Sequence, residues 1–85
     1  MKTISYEIKT ALGIRVHSLA ELSSIAGKYK SLIYGSTGEF KADLKSLLSV
    51  IVLEFHQGDL FTVTIDGPDE DDAAMAIDDF FQKVE

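Results

Sequence analysis

The sequence predicts an α+β domain: an antiparallel sheet with helices packed on one face and the other face open to water. Three observations carry this reading. Segments that alternate polar and apolar residues recur along the chain, as half-buried strands do. The two clearest helical stretches are apolar on one side only, so each has a single face to bury. The 85 residues, 46% hydrophobic and 26% charged, suffice for one compact core and predict a single domain over residues 1–85.

The elements follow in order. Lys2 to Ile8 alternates, with Ile4, Tyr6 and Ile8 on one face of a strand. Ser18-Leu19-Ala20-Glu21 has the spacing of a capping box, and Leu19, Leu22, Ile25, Ala26 and Tyr29 follow at helical intervals. Leu32-Ile33-Tyr34 reads as a strand leading into a turn at Gly35-Ser36-Thr37-Gly38. Phe40 to Leu44 alternates again, which completes a hairpin. Ser46 to Leu53 is ambiguous: its β-branched content suits a buried strand, while Ser46 as an N-cap suits a short helix. Leu60 to Ile65 is a strand closed by Asp66-Gly67-Pro68. Asp69, Glu70, Asp71 and Asp72 then lie where a helix N-terminus favours negative charge, and Ala73, Ile77, Phe80, Phe81 and Val84 form that helix's apolar face.

Composition removes several classes of function. There is no cysteine, which excludes disulfides, zinc-thiolate and iron-sulfur sites and a cysteine nucleophile. No apolar run approaches the roughly 20 residues that cross a bilayer, and Met1-Lys2-Thr3-Ile4-Ser5 lacks the apolar core of a signal peptide, so a cytoplasmic protein without a membrane partner is expected. The net charge of −6 is unevenly distributed: residues 1–45 carry +3 and residues 46–85 carry −9. An acidic chain repels phosphate backbones, so direct nucleic-acid binding is not expected. The acidic half reads as a solvated face.

Catalytic chemistry finds little support. His17 and His56 have no partners at metal-ligand spacing, and no Ser-His-Asp arrangement is visible, so neither a metal, a cofactor nor autonomous catalysis is expected. Gly35-Ser36-Thr37-Gly38 lacks the lysine and the strand-to-helix context of a phosphate-binding loop. Two segments remain. Gly13-Ile14-Arg15-Val16-His17-Ser18 places two basic side chains at the start of the first helix. Leu44-Lys45-Ser46-Leu47-Leu48 places a serine, as an N-cap or as something more, between a lysine and two large apolar residues.

These two segments, together with Gly58-Asp59 and Gly67-x-Asp69-Glu70 followed by Ala73, resemble the HPr family, the histidine-containing phosphocarriers of the bacterial sugar phosphotransferase system. The resemblance covers nearly the whole chain. It implies an open-faced β-sandwich of order βαββαβα, four antiparallel strands under three helices, and it makes Ser46 to Leu53 a short helix. In the family the loop before the first helix reads Gly-Ile-His-Ala-Arg-Pro, and its histidine carries the phosphoryl group from Enzyme I. Here Arg15 stands at that position, His17 at the arginine and Ser18 at the proline. Arginine has no free lone pair and cannot perform reversible phosphotransfer.

The resemblance also implies that Ser46 is the serine phosphorylated from ATP by HPr kinase in many members. Members without the carrier histidine that keep this serine act as corepressors in carbon catabolite repression. Ser49 replaces a usual glycine, and Val52, Glu54 and Phe55 depart from the family too. The leading expectation is therefore a regulatory, non-catalytic docking protein switched at Ser46. Arg15, His17, Ser18, Lys45, Leu47, Leu48 and Ile51 would meet its protein partners: HPr kinase, a catabolite-control transcriptional regulator or phosphotransferase-system enzymes. Arg15 or His17 would pair with phosphoserine. The alternatives are a phosphocarrier using His17, although two residues along a helix turn a side chain by about 200°, and an interaction module with an unrelated partner.

Overall fold

The structure, a computed structural model, describes residues 1–8, 16–38, 40–52 and 58–84, with the backbone alone at 16, 17 and 84. Strand β1 (Lys2–Glu7) is followed by helix α1 (Val16–Ala26), strands β2 (Leu32–Thr37) and β3 (Phe40–Asp43), helix α2 (Leu47–Ile51), strand β4 (Leu60–Asp66) and helix α3 (Glu70–Val84). The sheet order is β1-β4-β2-β3, and every neighbouring pair is antiparallel.

The register places Ile4 opposite Val63, Tyr6 opposite Phe61, and Gly35 opposite both Val63 and Ala42. Alternation then sends Ile33, Ala42, Phe61, Val63 and Ile65 to the side covered by the helices, where they are buried with Leu22, Ile77, Phe80 and Phe81. The other face carries Thr3, Ser5, Thr62 and Thr64, with the Ser5 and Thr62 hydroxyls 3.1 Å apart. This is the α+β, open-faced arrangement expected from one-sided helices and alternating strands.

Helix α3 closes the core. Its Phe81 ring stacks on Tyr6 at 4.2 Å between centroids and meets Phe61 at 5.5 Å and Phe80 at 5.2 Å, the last edge to face. The Tyr6 hydroxyl donates to Asp78 Oδ1 at 2.8 Å, so the ring is buried while its polar end is satisfied. Burial and the neighbouring carboxylate both push the Tyr6 phenol up from its ordinary value. At the other end of α3, Asp69 does more than complement the helix dipole. Its carboxylate accepts from the main-chain N–H groups of Lys30 at 2.8 Å and Ser31 at 2.9 Å, and from the Ser31 hydroxyl. The turn between α1 and β2 is thereby fixed to the start of α3. These bonds hold the Asp69 carboxyl down at about 2.

Three sequence expectations need correction. Ser18 is not an N-cap: α1 already includes Val16, so Ser18 lies inside the helix, and Glu21 pairs across to Lys83 at 3.1 Å. The helix ends at Ala26, and Tyr29 packs against the core from the following turn. Gly35, Ser36 and Thr37 belong to β2, not to the turn. Gly35 is required there by a close approach: a Cβ would lie 2.4 Å from the Phe61 ring and 2.9 Å from Leu44. Phe40 lies on the alternation side of Ala42 yet is exposed, because it sits at the outer end of an edge strand beyond the core.

Two outcomes follow. Gly35→Ala should lower the unfolding free energy by about 1–3 kcal/mol in urea titrations, and Phe61→Leu in the same chain should recover part of that loss by vacating the space. Asp69 has a folded value below its ordinary 3.8, so its stabilisation is complete above that value and disappears as pH falls towards about 2. Urea midpoints at about pH 7 and about pH 2 should therefore differ more in the wild type than in Asp69→Asn, which should also be the less stable of the two at neutral pH.

Candidate functional site

The segment that the sequence singled out around Ser46 is built from the end of β3. Asp43 turns the chain: its carboxylate accepts from Lys45 N at 2.9 Å and its carbonyl from Ser46 N at 3.0 Å. Ser46 adopts an extended backbone (φ −99°, ψ 111°) and serves as the N-cap of α2, its Oγ accepting from Ser49 N at 3.4 Å. That bond is long, and the residue is half-buried, so the hydroxyl is only lightly committed to capping. The helix is shorter than the expected 46–53: it runs from Leu47 to Ile51 with Val52 as its C-cap, and Leu53 lies outside the described residues.

Five residues of helix present apolar groups nearly all round, and only one direction leads inward. Val50 takes it and is fully buried. Leu47 and Ile51 remain 40% and 41% exposed, and Leu48 and Val52 79% and 77%. Of the two adjacent leucines Leu47 is the more covered and Leu48 the more exposed, and neither is buried. The i, i+4 pairs 47/51 and 48/52 form two neighbouring ridges, so the four side chains make one apolar surface starting next to Ser46. A contiguous exposed patch of this kind marks a binding surface more often than an isolated exposed leucine does. Fully burying one such side chain against a partner is worth about 1.5–3 kcal/mol.

Lys45 is placed differently from a free surface cation. Its Nζ donates to the main-chain carbonyl of Tyr29 at 2.7 Å, linking the start of α2 to the α1–β2 turn. Helix α1 packs against α2, which brings the backbone of His17 and the half-buried Ser18 onto the neighbouring element. Arg15 lies outside the described residues, as do the His17 side chain, Glu54 and Phe55. Among the described residues no group of His, Asp and Glu side chains is placed to hold a metal, and no helix is long and apolar enough to cross a membrane.

Sequence reasoning missed Val52 as part of the patch and the Lys45–Tyr29 bond. The first had a signal, the 48/52 helical spacing, which became usable once the segment was known to be a helix. The second joins residues 16 apart through tertiary packing and leaves no local pattern.

The patch and the core should separate cleanly on mutation. Leu48→Ser should change the unfolding free energy by no more than about 0.5 kcal/mol, whereas Val50→Ala should cost about 1–3 kcal/mol in the same urea titration.

Comparison with known proteins places this geometry. The family described as PTS HPr component, phosphorylation site, matches residues 2–83. The phosphocarrier protein HPr of Lysinibacillus sphaericus is 38% identical over 77 residues, covering 91% of this chain and 88% of that protein. The solved histidine-containing phosphocarrier protein of Mycoplasma superposes with a TM-score of 0.92 at 27% identity, covering 96% of this chain and 93% of the other. Crh of Bacillus subtilis, a catabolite repression protein solved as a domain-swapped dimer, shares the fold with a TM-score of 0.75 at 20% identity, covering 94% and 92% of the two chains. Element order, sheet topology and these matches agree: the chain belongs to the HPr family of the bacterial phosphotransferase system.

Proposed function

We propose that this protein is a regulatory member of the family: a docking protein without catalysis of its own, gripped through the α2 patch and switched by phosphorylation of Ser46. The observation that carries this reading is the apolar surface formed by Leu47, Leu48, Ile51 and Val52 immediately after a serine whose hydroxyl is only weakly engaged. A phosphoryl group on Ser46 would add nearly two negative charges at the edge of that surface, enough to change which partner binds. Arg15, which the family resemblance aligns with the carrier histidine, supports the same reading, because a guanidinium offers no lone pair for phosphotransfer. HPr kinase is the proposed modifier. A catabolite-control regulator or phosphotransferase-system enzymes are the proposed partners, in the cytoplasm, with Arg15, His17, Ser18 and Lys45 flanking the apolar contact.

The similarity to phosphocarrier proteins favours a second reading, in which His17 receives the phosphoryl group. Intact-mass measurement separates the two. Incubated with ATP and HPr kinase, the protein should gain one acid-stable phosphoryl group that Ser46→Ala abolishes. Incubated with phosphoenolpyruvate and Enzyme I, it should gain none. An acid-labile increment in the second incubation, lost in His17→Ala, would establish the carrier instead. No increment in either would point to a diverged module with an unrelated partner.

A further inference from the structure

The turn between α1 and β2 is held from two sides. On one side Asp69, just before α3, binds the N–H groups of Lys30 and Ser31 and the Ser31 hydroxyl. On the other, Lys45 Nζ donates to the Tyr29 carbonyl at 2.7 Å. The turn's own main-chain bonds, Gly27 N to Ser23 O, Lys28 N to Ile25 O and Tyr29 N to Ala26 O, lengthen progressively from 3.0 to 3.1 to 3.3 Å towards Tyr29. Tyr29 is therefore where the helix gives out and a side chain from another element takes over. That side chain belongs to the residue directly before Ser46.

We infer that Lys45 is a switch element: phosphorylation of Ser46 draws its ammonium from the Tyr29 carbonyl to the phosphate and releases the α2-side tether of the α1–β2 turn. The competition is unequal. A main-chain carbonyl is neutral, whereas a phosphoserine carries about −1.5 to −2 charge and three strong acceptor oxygens. Both bonds have the lysine ammonium as an ionised donor, so what separates them is the added Coulomb attraction of the phosphate, which the carbonyl lacks. Lys45 and Ser46 are adjacent in the chain, and the lysine's four-carbon stem lets its head reach either acceptor. The Asp69 tether is independent of this exchange, because its donors are main-chain N–H groups and the Ser31 hydroxyl. Modification at Ser46 is then read at two places, at the serine itself and at a turn sixteen residues earlier in the chain, counted from Lys45.

This inference rests on the reading of Ser46 as a phosphorylated residue, but its test does not need a kinase. Phosphoserine is installed at position 46 during synthesis of the chain, and the ¹³C′ chemical shift of Tyr29 is measured, since a carbonyl that loses a hydrogen bond moves upfield. Four proteins are compared: unmodified, phosphorylated, Lys45→Met, and Lys45→Met with the phosphoserine. The expected result is an upfield shift of Tyr29 C′ on phosphorylation and a similar one in Lys45→Met, with no further shift when both are combined. Hydrogen-exchange protection at Lys30 and Ser31 should be unchanged throughout. A Tyr29 carbonyl that moves in Lys45→Met but not on phosphorylation would overturn the inference, as would one that Lys45→Met does not move. Absence of kinase modification in the preceding experiment would instead count against the proposed function alone.

Discussion

Val50 is the one residue of helix α2 that enters the core, and that restriction shapes the rest of the molecule's surface. The sheet buries one face, and α1 and α3 cover most of it with Leu19, Leu22, Ile77, Phe80 and Phe81. A five-residue helix at the margin of this layer can contribute one side chain inward. Its sequence nevertheless supplies three more large apolar residues, Leu47, Leu48 and Ile51, with Val52 at its C-cap, and all four are exposed. Leu47 and Ile51 are partly covered, Leu48 and Val52 hardly at all, and water favours none of them. Their stabilising value is realised only when another surface covers them.

The close approach of β2 to Phe61 permits this arrangement. Without a side chain at Gly35 the Phe61 ring lies directly against the strand backbone and beside Leu44. Leu44 is fully buried at the end of β3, so the chain that continues through Lys45 and Ser46 starts α2 from a fixed point. The α1–β2 turn is the second fixed point. Asp69 joins it to α3, and Gly67 lies so near Ser31 that a Cβ there would fall 2.5 Å from its Cα. A turn held this firmly on one side and by a single lysine on the other is suited to respond locally, without disturbance to the core.

Much of this was legible in the sequence, and the exceptions have physical causes. Period-two alternation found β4, and the one-sided spacing of Ala73, Ile77, Phe80 and Phe81 found α3, because those elements bury a full face; β1 was found because half-buried Ile4 and Tyr6 alternate with exposed residues. The Ser46 segment was undecidable by pattern, since a helix apolar nearly all round has no periodicity; family resemblance resolved it. Ser18 was misread because a serine followed three residues later by a glutamate also occurs inside helices. Gly35 was read as a turn residue when its role is to make room for a ring. Of the site, Lys45, Ser46, Leu47, Leu48 and Ile51 were named from sequence and are brought together on one segment, while Val52 and the Tyr29 contact required the fold.

The proposed control acts through Ser46 and not through a charged histidine. The decisive experiment isolates the protein from the cells that make it, under neutral conditions that preserve phosphohistidine, and locates its phosphate by tandem mass spectrometry. Phosphate is expected on the peptide containing Ser46 and none on the peptide containing Arg15 and His17. Phosphate on His17, with Ser46 unmodified, would contradict it.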